Sequence, residues 1–89
     1  MKIATIQELT WKPHLGGYHA EVKFENGYTA SVLRGGRFYT DNGTYEIAVI
    51  NSMGKIDYTT HITNDVLGYL SLSKANKALQ DIAALPVLQ

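Results

Sequence analysis

The stretch Tyr18-His19-Ala20-Glu21-Val22-Lys23-Phe24-Glu25-Asn26-Gly27-Tyr28-Thr29-Ala30-Ser31-Val32-Leu33 decides the fold. Tyr18, Ala20, Val22 and Phe24 alternate with His19, Glu21 and Lys23, the period-2 pattern of a half-buried strand. Asn26-Gly27 then turns the chain. A two-residue loop would set Phe24 against Thr29 and Val22 against Ser31, mixing polar and apolar side chains on both faces. A longer loop, with Gly27 left-handed as a bulge, pairs Phe24 with Tyr28, Val22 with Ala30 and Ala20 with Val32. That register gathers every large apolar residue of the hairpin except Leu33 on one face, and it is the one expected.

Downstream, Arg34-Gly35-Gly36-Arg37, a short Phe38-Tyr39-Thr40 and Asp41-Asn42-Gly43 punctuate the chain. Residues 44–50 carry apolar side chains on both parities, as suits a central strand covered on two sides. Asn51-Ser52-Met53-Gly54 reads as a turn, residues 55–59 as a return strand, and residues 66–70 as a short apolar connector of open type. Upstream, Ile3, Ile6 and Leu9 fit a helix or a strand. The β-branched content and a turn over residues 13–17 favour a strand over residues 2–9.

At the C-terminus the period changes. Leu72, Ala75, Leu79, Ile82 and Leu85 form a stripe at helical spacing, with Lys74, Lys77, Gln80 and Asp81 outside it. Ser71 or Ser73 can cap the first turn and Pro86 stops the last, which predicts a helix over residues 73–85. A sheet this small needs that helix as a cover. The expected fold is therefore α+β: a small antiparallel sheet of four to five strands, meander-like, with one C-terminal helix packed on one face. At 89 residues, 1–89 should form a single domain.

Composition narrows function mainly by exclusion. Hydrophobic residues at 45% and charged residues at 18% indicate a globular chain rather than a disordered one. The absence of cysteine removes disulfide scaffolds, thiolate zinc sites and cysteine nucleophiles. No apolar run approaches a membrane span, and the first residues lack a signal peptide's apolar core, so a cytoplasmic protein without a membrane partner is expected. Formal net charge is zero, which counts against nucleic acid as the main partner.

Arg34, Gly35, Gly36 and Arg37 form the candidate anion-binding loop. Glycine amides approach an oxyanion closely and arginine forks onto it, although the loop is no Walker sequence. His14 and His19 could approach one another, but with His61 they lack zinc-site spacing, so no metal and no cofactor are expected. The serines and carboxylates lack catalytic context, and no enzyme is expected. Six tyrosines, two phenylalanines and one tryptophan are the strongest lead. Tyr18 and Tyr28 have core parity and read as packing residues. Trp11, Tyr39 and Tyr58 lie beside turns or strand ends, and with Arg34 and Arg37 they are the candidate partner-binding set. Lys74 and Lys77 load the helix start with charge opposite to what its dipole prefers, a feature that the Lys77–Asp81 spacing partly relieves.

The segments Tyr45-Glu46-Ile47-Ala48-Val49, Gly54-Lys55-Ile56-Asp57-Tyr58 and Asp65-Val66-Leu67-Gly68-Tyr69-Leu70-Ser71, ahead of a helix, resemble small proteins of enterobacteria and their phages and prophages. The resemblance spans about half the chain and brings no catalytic residues. Together with small size, absent catalytic motifs and abundant tyrosine, it leads to the expectation of a non-enzymatic, protein-binding module. Some proteins of this size in such genomes bind and inhibit host factors, so a modulator or inhibitor of a host protein complex is the form the resemblance suggests. The alternative from the residues is a nucleic-acid or phosphate-ligand binder using Arg34 and Arg37. An open sheet also leaves edges to be paired, so a homo-oligomer is a further expectation.

Overall fold

The computed structural model describes residues 5–35, 43–57 and 67–87. Strands β1 (Lys12–His14), β2 (Gly17–Lys23), β3 (Thr29–Gly35), β4 (Tyr45–Ile50) and β5 (Leu67–Leu70) form an antiparallel sheet in sequence order, and helix α1 (Leu72–Ala83) follows. The β2–β3 hairpin takes the bulged register, with Val22 opposite Ala30 and Ala20 opposite Val32. Its turn closes through Phe24 N–H to Tyr28 C=O (2.9 Å) and Gly27 N–H to Phe24 C=O (3.1 Å). Gly27 sits at φ 94°, the conformation that favours glycine.

Three rows of side chains run across β2, β3 and β4 on the helix-facing side: Val22–Ala30–Val49, Ala20–Val32–Ile47 and Tyr18–Arg34–Tyr45. The first two rows are apolar and buried beneath α1, whose Ala75, Ala78, Leu79 and Ile82 complete the core with Ile6, Tyr28 and Leu85. The third row is built differently and is described below. On β4, Glu46 and Ala48 are buried on one face and Ile47 and Val49 on the other, as expected of a strand covered on both sides.

The helix begins one residue earlier than its stripe suggests, because Ser71, not Ser73, caps it by accepting from the Lys74 N–H (3.2 Å). Its far end is closed from the opposite side of the molecule. Asn26, buried in the β2–β3 turn, donates through Nδ2 to the carbonyls of Ile82 (2.8 Å) and Leu85 (3.1 Å), and its Oδ1 accepts from Tyr28 N–H (3.1 Å). One amide thus serves as turn residue and helix C-cap. Lys77 and Asp81 form the i,i+4 ion pair.

Three local expectations are corrected. Residues 5–9 form no strand: Ile6–Glu8 is a 3-10 turn, with residues 2–4 outside the described set. The side chain of Glu8 reaches back to the N–H and hydroxyl of Thr5, while Ile6 N–H donates to Asn76 Oδ1 on α1 (2.7 Å). A strand would forgo both anchors. Residues 13–17 are not one turn, since Pro13 lies in the short edge strand β1, where a missing N–H does no harm. Of the return strand at residues 55–59, Ile56 makes an isolated bridge to Ile50, and residues 58–59 lie outside the described set. The connector at 66–70, whose type the sequence leaves open, supplies β5 over Leu67–Leu70, pairing Tyr45 with Leu70 and Ile47 with Leu67 across a bulge that leaves Tyr69 at φ 55°.

The β1–β2 turn is unusual for its residues. Leu15 (φ 48°) and Gly16 (φ 82°) both occupy the left-handed region, as a tight type I′ hairpin turn demands, yet that turn prefers Asn-Gly. Leu15 is 70% exposed and gains little from packing. Leu15→Asn should therefore raise stability by about 0.5–1 kcal/mol. Thermal melting followed by circular dichroism should show a midpoint higher by about 2–6 °C. A lower midpoint would mean that Leu15 holds the fold through contacts this geometry lacks.

Candidate functional site

The third row is where the sheet stops being a core. Past the two apolar rows, β2 begins at Gly17-Tyr18, β3 ends on Arg34-Gly35, and β4 begins at Tyr45, with Tyr18 opposite Arg34 and Arg34 opposite Tyr45. A cation stands between two aromatic rings on one face. Trp11, carried by the segment between the 3-10 turn and β1, reaches across that face to meet them. Its ring centroid is 6.1 Å from that of Tyr45. The Arg34 guanidinium carbon lies 4.5 Å from the Trp11 ring centroid and 5.1 Å from that of Tyr18. Such contacts hold a guanidinium in place and offset part of its desolvation, at about 0.5–2 kcal/mol each.

No carboxylate among the described residues forms an ion pair with Arg34. Beside it lies an open groove of about 230 Å³ lined by Tyr18, Arg34, Gly35, Gly43, Thr44 and Tyr45. Gly35 (φ 69°) and Gly43 (φ 82°) have backbone conformations that other residues adopt only under strain. A Cβ on Gly43 would meet nothing within 4 Å, so it is the turn geometry, not crowding, that calls for glycine there.

Of the candidate partner-binding residues, Trp11 and Arg34 are brought together. Arg37, Tyr39 and Tyr58 lie outside the described residues, as does Gly36 of the candidate anion loop. Arg34 and Gly35 prove to be the last residues of β3 rather than a loop. Trp11, expected to be exposed beside a turn, is half-buried against the core. Tyr18, read as a packing residue, is 45% exposed, whereas Tyr28 is buried as expected. Sequence reasoning missed Tyr18 and Tyr45 as site residues. The signal was present: the bulged register, extended by one alternate pair, sets Arg34 opposite Tyr18.

On the other face, the His14 and His19 rings approach to 5.7 Å between centroids, and His19 Nε2 lies 2.9 Å from Ser31 Oγ. Gly17, opposite His14 in the register, leaves room for the approach. Two imidazoles are fewer ligands than a zinc site uses, and no group of three or more ligand residues occurs among the described residues. Likewise, no described helix is long and apolar enough to cross a membrane. No protein-family model, curated protein or solved structure matches the chain.

Proposed function

We propose that this protein is a non-enzymatic protein-binding module whose partner docks on the Arg34 end of the sheet. The observation that carries the reading is the Arg34 guanidinium, lying between Trp11 and Tyr18 beside an open groove, without an ion-pair partner among the described residues. Arginine and large aromatics dominate the energetics of protein interfaces, where area, rigidity and a polar tip combine. The same end of the sheet exposes Leu15 (70%) and Tyr69 (60%), both at positive φ, so backbone strain accompanies surface exposure there. Such strain gathers at functional surfaces. A modulator of a host protein complex is the biological form of this reading that the phage-protein resemblance implies.

The test is retention of a partner from a bacterial lysate by the tagged protein, with and without nuclease. A stoichiometric protein should survive nuclease treatment and fall by about tenfold or more with Tyr18→Ala plus Arg34→Ala, the effect expected when interface anchors are truncated. Unchanged retention by the double variant would overturn the placement of the interface.

A nucleic-acid or phosphate ligand is the second reading, favoured by one feature: an arginine among aromatic rings can also stack bases. Against it stand the zero net charge and a groove whose described lining residues include one cation, Arg34. Retained nucleic acid, with binding that weakens steeply as salt rises, would select this reading instead.

A further inference from the structure

We infer that the Arg34 groove is a carboxylate receptor, taking an acidic side chain flanked by apolar residues on a partner protein. The inference rests on the protein-binding reading above and names what that site recognises. Its chemistry follows from the lining. Among the described lining residues Arg34 supplies the charge, Tyr18 and Tyr45 carry hydroxyls that can donate, and none is acidic. Donors and a cation without an acceptor of matching charge complement an anion.

Aromatic rings lie near the guanidinium carbon from Trp11 and Tyr18, at distances that suit stacking on its faces. A guanidinium held by its faces keeps its in-plane N–H fork for a planar, bidentate acceptor, and carboxylate is that shape. Among the described lining residues one cation, Arg34, balances one negative charge. A phosphate dianion would be left half-compensated, and phosphate-recognising sites commonly cluster arginines.

Size points the same way. At about 230 Å³ the groove is smaller than the roughly 300–1,000 Å³ of small-molecule and cofactor sites, and suits a side chain rather than a nucleotide. It is open along the sheet surface, at the end of the sheet that also exposes Leu15 and Tyr69, which favours a passing segment with apolar neighbours.

The chain's single tryptophan, Trp11, stands against Arg34 and serves as reporter. Its fluorescence would be titrated with the end-capped peptide acetyl-Leu-Glu-Phe-amide, the isosteric acetyl-Leu-Gln-Phe-amide, acetyl-Leu-Gln-Phe with a free carboxyl terminus, and inorganic phosphate. The Glu peptide should saturate the signal, and the other three should bind at least about tenfold more weakly. Arg34→Gln should erase the preference for Glu over Gln, while Arg34→Lys, keeping charge but losing the fork, should retain part of it. Melting curves close to wild type would show that both variants are folded. Equal binding of the Glu and Gln peptides would overturn the inference, as would tighter binding of the free terminus or of phosphate. So would no response to the Glu peptide up to about 5 mM, where even a contact worth only ~3 kcal/mol registers. If these arms fail while partner retention still depends on Tyr18, the protein-binding reading stands and the carboxylate assignment alone falls.

Discussion

Asn26→Asp is expected to destabilise the fold by about 3–5 kcal/mol at neutral pH, more than Asn26→Ala, which should cost about 2–4 kcal/mol. Alanine removes the amide that satisfies the Ile82 and Leu85 carbonyls and the Tyr28 N–H, leaving buried polar groups without partners. Aspartate keeps an acceptor for Tyr28 but turns an oxygen, and at neutral pH a negative charge, toward helix C-terminal carbonyls already at the negative end of the dipole. Desolvation and those carbonyls raise the introduced carboxyl's folded pKa above its unfolded value of about 3.9. The folded state then binds the proton more tightly than the unfolded one. The charge penalty is absent below the unfolded pKa and grows as pH rises toward the folded pKa. Urea denaturation at neutral and acidic pH measures this directly. The aspartate variant should be the less stable of the two at pH 7, and the difference should narrow or reverse toward about pH 4. A neutral effect of both substitutions would mean that the turn does not cap the helix.

Asn26 also marks the boundary of what the sequence discloses. Asn-Gly announces a turn, and local alternation fixes the hairpin register, because a slip would expose Val22 and Ala30 together. The helix was legible for the same reason, a period that admits one buried face. What local pattern cannot disclose is a group serving two elements 56 residues apart in sequence, as Asn26 does for Ile82. The segments that local pattern misread or left open share that cause. Ile6–Glu8 is held by Asn76, a distant residue, against its β-branched propensity. Residues Leu67–Leu70 form a strand only because β4 offers an edge, and their bulge puts positive φ on Tyr69 rather than on the adjacent Gly68.

The site was half legible. Arg34 and Trp11 were singled out for chemistry that each carries alone, glycine-flanked charge and aromatic area. Tyr18 was assigned to the core because parity says which face a side chain joins, not how far along that face the cover extends. The buried residues of α1 pack with the first two rows of the sheet, and identical parity gives a buried Val22 but a 45% exposed Tyr18. Composition could not supply that difference, since it depends on how far the packed elements cover a sheet.

The same limit of coverage separates two leucines of the helical stripe. Leu79→Ala should destabilise the protein by about 3–5 kcal/mol, whereas Leu72→Ala should cost less than about 1 kcal/mol. Leu79 is fully buried within the cluster that includes Val32, Ile47 and Ile82, and truncation there removes apolar burial and leaves a cavity in a rigid wall of strand residues. Leu72 keeps the periodic spacing but lies at the first helical position and is 40% exposed, so its loss is largely a solvent-side change. Domains of this size have total stabilities toward the lower end of about 5–15 kcal/mol, so the Leu79 variant should be partly unfolded near 37 °C. Denaturation of the two variants side by side provides the measurement. Similar losses would show that the stripe packs along its whole length and that the helix reaches over the third row. A large loss confined to Leu79 would place the helix's packing over the two apolar rows, Val22–Ala30–Val49 and Ala20–Val32–Ile47.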